Sequence, residues 1–162
     1  MTSRDDLAFL LDHINETAEV VDTRYVYFPI RPQAKQSARM GFSGSVHADP
    51  KKKAYVGKLR AHVASLWAGK EPATGPVSLT IYYCFKWPKK QKTRAERLGW
   101  DFYTSVPDRD NLSKPVKDAL KGVAYLDDSQ VVDLHVRKIR YPEEGILLKM
   151  QEILPIYLDI PE

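Results

Sequence analysis

The segment from Pro107 to Lys138 constrains the fold most, because it places a short amphipathic helix between two acidic pairs and follows it with a strand. An interior proline removes a backbone donor, so Pro115 predicts that Ser113 or a residue just before it is the N-cap of the helix, and Gly122 is a natural stop. The apolar residues at helical spacing are Leu112, Val116, Ala119, Leu120 and Val123. After them, Val132, Leu134 and Val136 alternate with Asp133, His135 and Arg137 over residues 130–141. This alternation predicts a half-buried strand.

The acidic pairs at the two ends of this helix are Asp108 with Asp110 and Asp127 with Asp128. Pro107 favours extended backbone before it, and side chains two residues apart in extended chain point the same way. Oxygen ligands suit hard divalent cations such as Mg²⁺, which act in many sites that cleave phosphodiesters. Capping and turn formation are the alternative for the first pair, but a simple turn seldom needs two adjacent acids. The two pairs together therefore predict a metal site.

Lys114 lies four residues after Asp110 on the predicted helix. Helical side chains lean toward the N-terminus, so its ammonium is expected to approach the acidic pair, where it could offset charge on a phosphate. An ordinary surface ion pair with Asp110 is the alternative.

The run from Asp108 to Val132 closely resembles the signature of the RusA-like Holliday junction resolvases, D-x-D-N-x-x-K, then D-A-L and, after a turn, D-D-x-Q-V. Upstream, residues 32–39 resemble the family's first basic loop more loosely, with Ser37-Ala38 where many members carry Arg-Pro. The resemblance implies an endodeoxyribonuclease for four-way or other branched DNA that acts as a homodimer. It also implies that Mg²⁺, or Mn²⁺ in its place, is bound by Asp108, Asp110 and Asp128, and that Lys114 is the catalytic lysine.

Basic residues elsewhere favour an anionic partner, in keeping with a formal net charge of +4 and a pI of about 9.1. They are densest between Lys86 and Arg97, and Trp87 and Trp100 flank them as possible stacking platforms. The residues predicted to contact nucleic acid are Lys35, Arg39, Lys86, Lys89, Lys90, Lys92 and Arg94. The alternative is a solvated basic loop that contacts nothing.

The remaining patterns predict one α+β domain, a mixed β-sheet with helices packed on it, over residues 25–162. Strands are expected at 25–30, 77–87 and 146–158, and a helix at 51–67. Residues 1–24 are predicted to form a separate amphipathic helical extension, with an apolar stripe of Leu7, Leu10, Leu11 and Ile14.

Several other functions are disfavoured by the sequence. Cys84 is the only cysteine, so no intrachain disulfide or cysteine zinc site is expected, and no apolar run is long enough to cross a bilayer. A cytoplasmic protein is expected, without a signal peptide. His135 is the one histidine expected near the acidic residues, and it is given no catalytic role. Alternatives to a junction nuclease are a junction-binding module without activity and a nuclease for flaps or structured RNA.

Overall fold

The computed structural model describes residues 18–35 and 50–155. Within these residues, five strands form one sheet in the order β1-β5-β2-β4-β3, in which β2 and β4 are parallel and the other neighbours antiparallel. The strands are β1 (Ala18–Phe28), β2 (Val77–Lys86), β3 (Asp101–Phe102), β4 (Val131–Tyr141) and β5 (Gly145–Pro155). The helices are α1 (Pro50–Trp67), α2 (Lys92–Leu98) and α3 (Arg109–Leu120). This architecture confirms the predicted α+β class.

The core lies between one face of the sheet and helices α1 and α3. Strand β2 alternates, so that Leu79, Ile81 and Tyr83 point to that face and are fully buried. Helix α1 contributes Leu59 and Val63 to the same core. The predicted stripe of α3 also lies in it, namely Leu112, Val116, Ala119 and Leu120. Because this stripe is buried, the rotation of α3 about its own axis is fixed. That rotation determines which side chains are exposed at its N-terminus.

The opposite face of the sheet carries side chains that are largely exposed. Strand pairing places Tyr25 beside Lys149, and Tyr82 beside Leu147, on this face. The exposed fraction of Tyr25 is 75% and that of Leu147 is 41%. We call it the open face.

Two predicted elements need correction. Residues 18–24 were assigned to the helical extension, but they belong to β1, where pairing with β5 outweighs local pattern. The rest of the predicted extension lies outside the described residues. The basic stretch predicted as a loop contains a 3₁₀ turn at Lys89–Gln91 and then α2.

The predicted half-burial of β4 is wrong for its first residues. Val132 and Leu134 share the helix-covered side of the sheet with Val136, yet their exposed fractions are 62% and 41%. Strand β3 pairs only with Ile139 and Arg140, so the first part of β4 is a sheet edge. An apolar alternation does not reveal that a strand lies at an edge.

Candidate active site

Asp108 and Asp110 stand at the N-terminus of α3. Asp108 is the N-cap in extended backbone, with φ −69° and ψ 146°, but its side chain makes no capping hydrogen bond. Asp110 is the second helical residue, so the extended spacing used to pair the two side chains is wrong. Both nevertheless line one open cleft of about 650 Å³, together with Tyr103 and Lys138. The pair therefore shares a site for a different geometric reason from the predicted one.

Lys138 anchors the chain that leads into this cleft. Its Nζ donates to the carbonyl oxygens of Ser105 (2.6 Å) and Pro107 (2.8 Å), and Tyr103 Oη donates to Val106 O (3.0 Å). These bonds fix the residues immediately before Asp108. The sequence held a signal for this role, because a lysine at position 138 interrupts the apolar series of β4 on the side that faces the helices.

The N-terminal carboxylates have the chemistry that a divalent cation needs. Both side chains are exposed, and the contact that Asp110 makes is a loose ion pair with Arg109 at 3.8 Å. The positive end of the helix dipole favours the ionised carboxylates and also favours a phosphate beside them. Mg²⁺ commonly uses one or two carboxylates and keeps water or substrate phosphate in its other positions. Asp108 and Asp110 fit such a subsite.

Helix α3 starts at Arg109, earlier than predicted, so Pro115 lies in its interior. The proline is tolerated there because another residue supplies the missing hydrogen-bond donor. A proline at 115 cannot donate to the carbonyl of Asn111. The backbone N–H of Lys35 donates to that oxygen instead, at 2.8 Å. Lys35 Nζ also pairs with Asp118 Oδ2 at 3.2 Å. The first basic loop is thereby attached to α3 at two points, and Lys35 is partly neutralised.

Lys114 leans toward the N-terminus of α3 as predicted, but it contacts a different residue. Its Nζ donates to Asn111 Oδ1 at 3.4 Å, one turn back along the helix. In residues 18–35 and 50–155, Lys114 makes no ion pair with Asp110, so the simple surface pair considered above is absent. The exposed ammonium lies on the solvent side of α3, between the acidic pair and the helix C-terminus.

Asp127 and Asp128 have different surroundings. Asp127 caps the 3₁₀ turn Asp128–Gln130 by accepting from Ser129 N at 3.0 Å. It also pairs with Lys121 at 2.7 Å, and that hydrogen bond is the largest cause that holds the pKa of Asp127 well below its usual range. Asp127 therefore stabilises the turn.

Asp128 is half-buried and accepts from Tyr125 Oη at 3.2 Å. The same hydroxyl lies 3.3 Å from Lys117 O, so its one proton is shared between the two acceptors, and burial is the main cause that raises the pKa of Tyr125 far above its usual range. Lys117 lies seven residues beyond Asp110, which is about 10 Å along a helix at 1.5 Å per residue. Asp128 is thus beside the last turns of α3, while Asp108 and Asp110 are at its start.

The three predicted metal ligands, Asp108, Asp110 and Asp128, are not gathered into one cluster among the described residues. Among the described residues, no group of three or more His, Cys, Asp or Glu side chains is arranged to hold a metal ion. The charges of Asp128 and Asp118 both raise the pKa of Tyr125. These two carboxylates therefore lie near the same hydroxyl, toward the C-terminal end of α3. The site therefore has an exposed N-terminal pair and a separate C-terminal acidic region.

The residues predicted to contact DNA are spread over two surfaces. Lys89 and Lys90 lie in the 3₁₀ turn, and the pairs Lys92 with Glu96 and Arg94 with Asp101 tie α2 to itself and to β3. The Arg94 bond is the largest cause that lowers the pKa of Asp101. Lys86 ends β2 as an exposed residue. Lys35 contacts α3 through Asn111 and Asp118. Arg39 lies outside the described residues.

Aromatic side chains connect the basic segment to the cleft. Trp100 and Phe102 are in edge-to-face contact at 5.3 Å, and Phe102 also lines the cleft of Asp108. His135 lies on the open face, paired with Thr80, away from the side that carries α3. The structure thus does not bring His135 to the acidic pair.

Comparisons with known proteins identify relatives of this chain. Residues 29–151 match the protein-family model described as endodeoxyribonuclease RusA. The uncharacterized protein YqaN of Bacillus subtilis (strain 168) is 40% identical over 118 residues, which cover 68% of this chain and 82% of that protein. The crossover junction endodeoxyribonuclease rusA of Lactococcus phage r1t is 35% identical over 78 residues, which cover 48% of this chain and 53% of that protein.

Proposed function

The chain belongs to the RusA endodeoxyribonuclease family, and from this premise we propose that it is a metal-dependent nuclease that resolves Holliday junctions or related branched DNA. The observation that carries the proposal is the exposed Asp108 and Asp110 pair, which lines one cleft inside the matched region. Neither carboxylate is used up in a cap or a close ion pair. Such uncompensated charges at a helix N-terminus are suited to bind a cation.

Asp108 and Asp110 would hold Mg²⁺, or Mn²⁺ in its place, and Asp128 is proposed as the third carboxylate. The bound ion would supply Lewis-acid stabilisation of the scissile phosphate and lower the pKa of a water ligand. Lys114 would place a positive charge beside the same phosphate, where preorganised charge stabilises a transition state. Lys138 acts as a positioning residue, since it fixes the carbonyls before Asp108.

The DNA would be held by basic side chains on either side of the cleft. Lys89 and Lys90 supply charge in the 3₁₀ turn and Lys92 at the start of α2, and Arg94 of α2 pairs with Asp101, the residue between Trp100 and Phe102. Phosphate contacts of this kind make affinity fall as salt rises. We also propose that the nuclease is a homodimer, since two symmetric sites match a junction cut on two strands.

The carboxylate assignment can be tested with asparagine variants, which keep size but remove a negative ligand. Asp108→Asn and Asp110→Asn should lower the rate of junction cleavage by about 10²-fold or more while junction binding survives, because repulsion of phosphate decreases. Asp133→Asn is the matched control, since Asp133 lies on the open face, where it accepts from Ser78 Oγ at 2.8 Å. Near-normal cleavage by Asp108→Asn in a Mg²⁺ titration would refute the proposed metal site.

Lys114→Ala tests the catalytic lysine against Lys117→Ala, a second lysine on the same helix. Loss of one transition-state contact should lower turnover by on the order of 10²-fold, with little change in the free energy of unfolding, because the ammonium is exposed. Equal turnover in the two variants would show that Lys114 has no special role.

The alternative functions give different results in the same assay. A labelled four-way junction, a flap, linear duplex and structured RNA should be incubated with and without Mg²⁺. Preferential, metal-dependent cleavage of the junction is expected. Binding without cleavage would indicate a junction-binding module, and preferential cleavage of the flap or RNA would indicate a different nuclease substrate.

A further inference from the structure

The first part of β4 forms a sheet edge that the nuclease chemistry does not use. Strand β3 pairs only with Ile139 and Arg140, and the bond from Tyr103 N to Lys138 O at 2.9 Å ends its contact with β4. In residues 18–35 and 50–155, the stretch 131–137 therefore has β2 on one side and no strand on the other. We call this stretch the free edge. An edge of this kind is a template for pairing with another strand.

Backbone groups along the free edge point outward at alternate residues. The carbonyl oxygen of Lys138 faces this side, because it accepts from Tyr103. The register with β2 is regular from Asp133 onward, so Val136 and Leu134 direct their own N–H and C=O groups to the same side. Both side chains lie on the helix-covered side of the sheet, and Leu134 is 41% exposed. The free edge thus presents hydrogen-bonding groups together with an uncovered apolar side chain.

We propose that the free edge pairs with the free edge of a second copy of the chain, antiparallel and centred on Leu134, so that the two sheets become one. Leu134 is the middle residue of the stretch 131–137. In this register it faces Leu134 of the second copy, and the two residues exchange both backbone hydrogen bonds. The inference rests on the proposed homodimer and names its interface, and it does not depend on the metal site.

The side chains of the free edge favour a second copy as the occupant. The formal charges in the stretch are Asp133 and Arg137, which both lie on the open face. Pairing centred on Leu134 sets Asp133 against His135 of the second copy, and Arg137 against Val131. No like charges face each other, and the imidazole N–H can donate to the carboxylate or to an amide at position 133. On the other side of the sheet the two leucines cover each other.

The symmetry of this pairing also fixes where the two active sites lie. Antiparallel strands of one sheet are related by a two-fold axis that is perpendicular to the sheet. Helix α3 of each copy, with Asp108 and Asp110 at its N-terminus, therefore lies on the same side of the joined sheet. The two sites flank the axis, an arrangement suited to two cuts in one junction.

Disulfide cross-linking of the full-length protein tests the register. In Leu134→Cys the two facing Cα atoms would be about 5.5 Å apart, which is within the span of a disulfide. Mild oxidation should therefore convert most of the protein to a covalent dimer on a non-reducing gel. Leu147→Cys is the matched control, because Leu147 is also 41% exposed but lies on β5 inside the sheet, and it should stay uncross-linked. Equal cross-linking of the two variants would overturn the proposal.

Leu134→Lys covers the case in which the cysteine variant does not fold. Two facing lysines oppose edge pairing, so sedimentation should show a dimer dissociation constant raised about tenfold or more, with Leu147→Lys unchanged and circular dichroism reporting the fold of both. A wild-type chain that sediments as a monomer would overturn both the interface and the homodimer. A dimer that neither cross-links at Leu134 nor responds to Leu134→Lys would overturn the interface alone. Junction cleavage by the wild type is measured separately and reports on the nuclease.

Discussion

The carboxamide of Gln130 holds the turn that contains Asp127 and Asp128, which we call the acidic turn. Substituting Gln130 therefore tests what stabilises this turn. Its Oε1 accepts from the backbone N–H groups of Leu126 (2.7 Å) and Asp127 (2.8 Å). Its Nε2 donates to the carbonyl oxygens of Ala73 and Gly75, both at 2.9 Å. One side chain thus connects the turn before Asp128 to the chain that precedes β2.

The cost of removing this side chain follows from those four bonds. Each hydrogen bond contributes about 0.5–1.5 kcal/mol net, and the lower half of that range applies because Gln130 is only half-buried. Gln130→Ala should therefore lower the free energy of unfolding by about 2–4 kcal/mol. At about 2–4 °C per kcal/mol for a chain of this size, the melting temperature should fall by roughly 5–15 °C.

Gln130→Glu separates the two halves of the interaction. The carboxylate keeps both acceptor bonds but turns an oxygen toward two carbonyl oxygens, which should raise its pKa above the usual glutamate value near 4.3. Stability lost at neutral pH should then return partly as pH falls and the protonated acid donates one bond. At pH 7, Gln130→Glu should lower the free energy of unfolding by at least half as much as Gln130→Ala does.

Urea denaturation followed by circular dichroism measures both variants. Gln151→Ala is the matched control, since Gln151 makes one exposed side-chain bond, to Thr23 Oγ1 at 3.2 Å, and should cost less than about 1 kcal/mol. If Gln130→Ala were no more destabilising than Gln151→Ala, the four bonds would not hold the turn and the reasoning would fail.

Other predictions concern the helix, the thiol and the acidic turn. Pro115→Ala gives α3 a new N–H for Asn111 O, so the Lys35 amide should lose its partner and its hydrogen exchange should accelerate about tenfold, the equivalent of one net hydrogen bond; unchanged exchange would contradict this. Burial raises the pKa of Cys84 to about 11, so iodoacetamide at pH 8 should label it only after unfolding in urea, and prompt labelling of the native chain would contradict its burial. Because the folded pKa of Asp127 is depressed, its stabilising contribution should be present above about pH 4 and be lost as pH falls toward the folded value, and Asp127→Asn should remove this component from an acid titration of stability.

Helix α3 shows what periodicity can and cannot predict. The stripe that packs on the sheet was predicted from spacing, because apolar burial repeats with the helical period. The start of the helix was not, because Pro115 was placed in the first turn. The donor that makes an interior proline acceptable is Lys35 N, which is distant in sequence, and no local rule contains that contact.

The roles of individual polar residues depend similarly on tertiary neighbours. Asp127 and Asp128 are adjacent in sequence, yet one is paired with Lys121 and the other faces Tyr125. Gln130 appeared only as one letter of a family signature, and the structure gives it four hydrogen bonds. The acidic character of the site was predictable from the positions of the two acidic pairs in the sequence, whereas the division between structural and available carboxylates was not.

The ends of α3 give its acidic residues different electrostatic settings. Asp108 and Asp110 lie at the positive end of the helix dipole, which stabilises their charge and attracts phosphate to the same place. Asp128 lies beside Lys117 near the negative end, where the dipole offers no such help. If Asp128 is the third ligand, as proposed, Asp128→Asn should weaken Mg²⁺ affinity. A loss of cleavage at unchanged Mg²⁺ affinity would instead place its action on the DNA.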